Sequence, residues 1–131
     1  MLNKRKYREL PLIYSCSGCS SAAQTANYIA LKLDRDGLAE MSCIAGVGGN
    51  VKHLVNVAQS GRPILALDGC KLACALHCLA ERGITPDYHM QLNEHGVEKR
   101  YHSDLNQEQA DLIAKEVAKH ASRLHEDQQK L

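Results

Sequence analysis

The length, composition and charge of the chain restrict the classes of protein to which it can belong. With 131 residues it is long enough to bury a sizeable core and favours one domain spanning residues 1–131. It contains no Trp and no Phe, so the core must be built from aliphatic side chains and cysteine. Sixteen Lys and Arg oppose fifteen Asp and Glu, and the resulting net charge of +1 argues against a nucleic-acid partner, which needs a large positive field.

Both ends of the chain are polar. Residues 1–9 form a basic leader that we expect to be solvated, and residues 125–131 form a tail that we expect to fray. No segment has the apolar length of a membrane span or a secretion signal, so we expect a cytoplasmic location without membrane contact. Six cysteines in a reducing compartment indicate metal binding or thiol chemistry rather than disulfides.

Short apolar runs alternate with segments of helical period along the chain. Strands are predicted at residues 10–15, 41–45, 63–68 and 87–92, and helices at residues 20–37, 50–61, 71–83 and 105–128. Ser20 or Ser21 is expected to cap the first helix, and Asp104 the last. Residues 93–103 predict a turn at Gly96 and a short edge strand. This alternation predicts a small three-layer α/β sandwich, with a mostly parallel four- or five-stranded sheet of Rossmann-like or flavodoxin-like order.

Five of the six cysteines fall near the predicted carboxyl ends of strands. They are Cys16 and Cys19 after the first strand, Cys43 at the end of the second, and Cys70 and Cys74 after the third. Because the carboxyl ends of parallel strands meet at one edge of the sheet, the five sulfurs can converge there if the first strand is central. Thiolates suit Zn²⁺, which takes four of them tetrahedrally. The sequence therefore predicts a zinc site built from these cysteines.

Other residues near the third strand are expected to support the site without binding the ion. Asp68 is predicted to accept amide hydrogen bonds that fix the turn from strand to helix, and Gly69 to let the backbone turn tightly beside a sulfur. Cys78 stands about 12 Å along a helix from Cys70 and is predicted to be ordinary core. The seven histidines show no paired ligand spacing and are interpreted as surface or structural residues. His77, three residues after Cys74, is the alternative ligand among them.

Three cysteine motifs carry a family resemblance. They are C-x-G-C at residues 16–19, M-S-C-x-A-G-x-G-G at residues 41–49 and D-G-C-x-x-A-C at residues 68–74. In these three motifs the chain resembles the DGC-domain family of zinc-binding proteins. The family is named after the motif that here is Asp68, Gly69 and Cys70. The resemblance runs from about residue 14 to residue 100. It implies zinc held by four cysteines, drawn from Cys16, Cys19, Cys43, Cys70 and Cys74, in a family with no established biochemical role.

Three functions are compatible with this pattern. The first is a non-catalytic zinc module with a structural, sensing or protein-docking role, because four thiolates leave no position for a substrate water. The second is thiol redox chemistry or persulfide sulfur transfer by the surplus cysteines, acting on a small thiol-reactive ligand. The third is an iron–sulfur electron carrier, since four cysteines also hold such clusters.

Overall fold

A four-stranded parallel sheet forms the centre of the computed structural model, which describes residues 3–130. Its strands are β1 (Leu12–Ser15), β2 (Glu40–Met41), β3 (Ile64–Asp68) and β4 (Tyr88–Gln91). Their order is β2-β1-β3-β4 and every pairing is parallel. Strands β1 and β3 are buried at every residue, as expected of parallel strands covered on both faces. The order is that of flavodoxin-like sheets, which confirms the predicted α/β fold.

Helices cover both faces of this sheet. One face carries α2 (Ser21–Arg35) and α6 (Gln107–Gln129), and the other carries α3 (Ile44–Gly48), α4 (Lys52–Ala58) and α5 (Cys74–Glu81). Along β1, Ile13 packs in the first core and Leu12 in the second, because successive strand side chains point to opposite faces. A short α1 (Lys4–Tyr7) precedes β1, and a 3₁₀ turn (Leu92–His95) follows β4. Within residues 3–130, no helix has the length and apolarity needed to span a membrane.

The second predicted strand is wrong in its position. Residues 41–45 were expected to be extended, but β2 ends at Met41 and α3 begins at Ile44. Cys43 is the residue that caps α3, and its Sγ accepts a hydrogen bond from the Gly46 amide at 3.4 Å. β2 lies at the edge of the sheet and pairs with β1 through two residues only, so the sheet does little to keep the chain extended. Cys43 therefore starts a helix instead of ending a strand.

Two predicted helix starts also move. Ser20 caps α2 as expected, by accepting from the Ala23 amide, whereas the cap of α6 is Asn106 and not Asp104. Helix α5 begins at Cys74, later than predicted, because Ala73 has a left-handed backbone with φ of +51°. Helical periodicity does not reveal such an interruption, since an isolated alanine favours helix.

The segment after β4 contains no strand. Gly96, with φ of +85°, ends the 3₁₀ turn as the predicted turn requires, but residues 97–103 have no regular structure. Their backbone bonds to the first turn of α2, where Ser21 donates its amide to the Arg100 carbonyl at 2.8 Å. The predicted edge strand is therefore wrong, because α2 supplies the hydrogen-bond partners that a neighbouring strand would otherwise provide.

The predicted leader and tail both contain hydrogen-bonded structure. The Tyr7 hydroxyl donates to the Asp34 carbonyl at 2.6 Å, and the Arg62 guanidinium donates to the Tyr7 and Leu10 carbonyls. The leader is thus attached to the domain. Helix α6 continues to Gln129 through most of the tail that was expected to fray. Residues 1, 2 and 131 belong to the predicted leader and tail and lie outside the described residues.

Candidate functional site

The loops after β1 and β3 enclose a cavity of about 250 Å³ at the carboxyl ends of these two adjacent strands. From β1 the chain goes to β2 on one side, and from β3 it goes to β4 on the other, so the two loops diverge at this point. Such a switch in strand order is where open α/β sheets bind ligands. Four cysteines line the cavity: Cys16, Cys19, Cys70 and Cys74.

Asp68, the last residue of β3, fixes the start of α5. Its side chain is 1% exposed, and its carboxylate oxygens accept hydrogen bonds from the Ala75 amide at 2.7 Å and the Leu76 amide at 3.1 Å. These bonds replace the side-chain cap that Ala73 cannot provide, and the carboxylate is favoured by the partial positive charge of the helix N-terminus. Asp68 therefore makes the amide contacts predicted for it and places Cys74 at the rim of the cavity.

Gly69 brings the loop after β3 against the first turn of α2. A Cβ at this position would lie 2.6 Å from the Ala22 carbonyl carbon and 2.9 Å from the Ala23 nitrogen, so only glycine fits. The Gly69 amide donates a hydrogen bond to Cys16 Sγ at 3.2 Å. This close approach joins the two cysteine-bearing loops.

Cys16 is the most buried cysteine of the cavity, at 8% exposure. Burial raises the pKa of its thiol to about 11, and the hydrogen bond from the Gly69 amide opposes this increase. Electrostatic repulsion from Asp68, Cys74 and Cys70 adds smaller increases. The thiol of the metal-free protein therefore keeps its proton at neutral pH. A bound cation would favour the thiolate and release that proton.

The other three cavity cysteines are closer to solvent. Cys19 and Cys74 are exposed, and Cys70 is partly buried. The Nζ of Lys99 lies 3.6 Å from Cys70 Sγ and 5.4 Å from the centroid of the Tyr101 ring. The pKa of Lys99 is raised, mainly by its interaction with Tyr101 and to a smaller extent by Cys70. Desolvation opposes this increase. A charged ammonium group therefore stands beside a cysteine sulfur.

The remaining two cysteines lie outside the cavity. Cys43 follows the end of β2 and caps α3, and it does not line the space that the other four share. Cys78 packs α5 against α3, since a Cβ on Gly48 would lie 2.9 Å from its Sγ. The structure thus places Cys78 away from the loop edge, as the helical spacing predicted.

The chemistry of the cavity fits zinc, but the sulfurs are not arranged as a finished site. In the part of the chain that the structure describes, no group of three or more Cys, His, Asp or Glu side chains has the arrangement of a metal site. Four thiols around one cavity are nevertheless the donor set that Zn²⁺ prefers. Binding of one ion by all four would require the sulfurs to lie closer together than they do here.

Sequence reasoning missed three residues next to this site. His89 Nε2 lies 2.8 Å from the Asp68 carboxylate, although the sequence marked it only as a surface or structural histidine. Its position on β4, the strand paired with β3, was the available signal. Lys99 and Tyr101 lie in the irregular segment, where no periodicity indicates which way a side chain points.

The fold and this cavity define a cysteine-rich α/β protein with thiols gathered at a topological switch point. The profile of the DGC domain matches residues 12–117, and the chain belongs to the DGC domain family, as its motifs predicted. It is 64% identical over 88 residues to the anaerobic and virulence modulator AnvM of Pseudomonas aeruginosa, in an alignment covering 67% of each chain. No solved structure matches the chain.

Proposed function

We propose that this chain is a zinc-binding module in which Cys16, Cys19, Cys70 and Cys74 hold one Zn²⁺. The observation that carries the proposal is that these four cysteines, from two loops far apart in sequence, line one cavity. Cys43, the fifth candidate, is left out of the ligand set because it caps α3 outside that cavity.

The surroundings of the cavity support a binding role. Gly69 donates its amide to Cys16 Sγ, a contact that would stabilise a thiolate once the proton has left. Four thiolates complete the coordination of Zn²⁺ and leave no position for a reacting water, so the ion would act structurally and not catalytically. Six free cysteines suit a reducing compartment, and we propose a cytoplasmic location.

A sensing or docking role follows from the same geometry. The exposed Cys19 and Cys74 would let a bound ion exchange with solvent, whereas the buried Cys16 would hold it in the cavity. The relative from Pseudomonas aeruginosa is named a modulator, a term that suits regulation of a partner protein better than turnover of a substrate. We therefore propose that metal loading of this chain controls its interaction with a protein partner.

Elemental analysis of untagged protein, purified without added metal, tests the zinc site. We expect one Zn per chain in the wild type, loss of most zinc in Cys70→Ser and unchanged zinc in Cys78→Ser, which removes a thiol outside the cavity. Equal zinc in the wild type and Cys70→Ser would reject the ligand set. A brown protein that contains iron would instead indicate an iron–sulfur cluster on the same ligands.

The contact between Lys99 and Cys70 favours one second candidate, thiol chemistry at Cys70. An ammonium group 3.6 Å from the sulfur attracts negative charge there, as nucleophilic thiols require. In a zinc-free protein, iodoacetamide should then label Cys70 before the more exposed Cys19 and Cys74. Faster labelling of the exposed pair would reject this candidate.

A further inference from the structure

Lys99 connects the cysteine cavity to an exposed surface segment. Its Nζ lies 3.6 Å from Cys70 Sγ and 5.4 Å from the centroid of the Tyr101 ring, and Tyr101 is 60% exposed. Among the described residues that line the cavity, Lys99 is the only cation. Negative charge gathered on the sulfurs therefore acts directly on this side chain.

The segment that carries Lys99 has few other attachments. Residues 98–103 are all exposed and contain no helix or strand. Four hydrogen bonds hold them to α2. The Ser21 amide donates to the Arg100 carbonyl at 2.8 Å, and Ser21 Oγ accepts from the Arg100 amide at 2.9 Å and donates to the Glu98 carbonyl at 3.1 Å. The side-chain amide of Gln24 donates to the Ser103 carbonyl at 3.0 Å. Segments with exposed backbone and few buried contacts open locally at small free-energy cost. A stronger ionic contact at Lys99 would therefore add a measurable share to the few bonds that hold this segment.

We infer that Lys99 couples metal loading of the cavity to the ordering of residues 98–103. This exposed segment would then be more ordered when the ion is bound than when it is absent. The inference rests on the proposed zinc site. Four thiolates and one Zn²⁺ carry a net charge of about −2, which attracts the ammonium group more strongly than neutral thiols do. Because coupling between two sites is reciprocal, the contact strengthens zinc binding by the factor by which zinc stabilises the segment.

Hydrogen exchange measured by NMR, with and without stoichiometric Zn²⁺, tests the coupling at the amides of Ser21 and Arg100. In the wild type we expect zinc to slow their exchange by about three- to tenfold, the range for one charge contact of this length in partly solvated surroundings. Lys99→Gln should remove the slowing and weaken zinc binding against a competing chelator by a similar factor. Lys71→Gln removes a charge beside Cys70 that does not line the cavity, and it should keep both effects.

Ionic strength separates this coupling from a simple structural defect. About 0.5 M salt should reduce the slowing by zinc in the wild type, because it screens the contact, and should change Lys99→Gln little. Equal zinc-dependent slowing in the wild type and Lys99→Gln would overturn the inference and leave the zinc site standing. A wild type that binds no zinc would instead overturn the proposed function on which the inference rests.

Discussion

Replacing Gly69 with alanine tests how closely the loop after β3 must approach α2. The added Cβ would lie 2.6 Å and 2.7 Å from the carbonyl carbon and oxygen of Ala22, and 2.9 Å from the Ala23 nitrogen. Ordinary contacts between such atoms are about 3.5–4.0 Å, so the loop and the helix must separate by roughly 1 Å. Main-chain atoms cannot rotate out of the way, as a flexible side chain can.

We expect Gly69→Ala to lower the free energy of unfolding by about 3 kcal/mol, the upper part of the range for overpacked positions. In a domain of this size, that corresponds to a fall of about 9–15 °C in Tm. The same displacement would lengthen the hydrogen bond from residue 69 to Cys16 Sγ, now 3.2 Å, and would lower zinc content if that ion binds as proposed. Urea denaturation followed by circular dichroism measures the stability, and elemental analysis measures the metal.

Gly61→Ala is the matched control, because Gly61 has φ of +89° and no atom within 4 Å of the added Cβ. It should cost only the backbone strain of a left-handed alanine, about 1 kcal/mol. A Gly69→Ala protein that unfolds at the wild-type urea concentration would refute the close-approach argument. So would a Gly61→Ala protein that is destabilised as much as Gly69→Ala.

Three further outcomes follow from the described contacts. Asp68→Asn should lower the free energy of unfolding by about 1–3 kcal/mol in urea, because the amide nitrogen cannot accept from the start of α5; wild-type stability would contradict this. In reduced, metal-free protein at pH 8, iodoacetamide should label Cys19 before Cys16, whose pKa burial raises to about 11, and peptide mass spectrometry that finds equal rates would disprove it. Burial, aided by the charge of Arg123, lowers the pKa of His120, which stacks on Tyr88 with ring centroids 4.0 Å apart. The unfolded chain therefore binds this proton more readily, and stability should fall as pH drops through the ordinary value of 6.5. His120→Phe should flatten that part of the dependence in urea midpoints taken from pH 7.5 to 5.5, and an unchanged slope would argue against it.

The sequence predicts the fold where the hydrophobic pattern is long or fully buried. Strands β1 and β3 are continuous apolar runs, and α2 and α6 repeat their apolar residues over several turns, so both kinds of element are found within a few residues of their bounds. The edge strand β2 has two residues, and the cap of the following helix is the sulfur of Cys43. Neither feature has a strong sequence signal, which is why this boundary was misplaced.

The sequence predicts the cysteines of the candidate site but not the residues that contact them from other elements. Placing cysteines after β1 and β3 requires only the strand positions, and the structure brings Cys16 and Cys70 to one cavity. The partners supplied by other elements require tertiary information. His89 contacts Asp68 through the β3–β4 pairing, and Lys99 reaches Cys70 from a segment without periodicity.

Asp68 and Gly69 position the cavity cysteines in two different physical ways. Asp68 satisfies the first amides of α5 and so fixes Cys74, while Gly69 permits the contact with α2 that brings Cys16 beside the same loop. These two residues fix the positions of both loops without a bound ion. If zinc binds as proposed, loss of Gly69 geometry should weaken binding even though all four thiols remain. A chelator should displace the exposed Cys19 and Cys74 from the ion before Cys16, because Cys16 is buried.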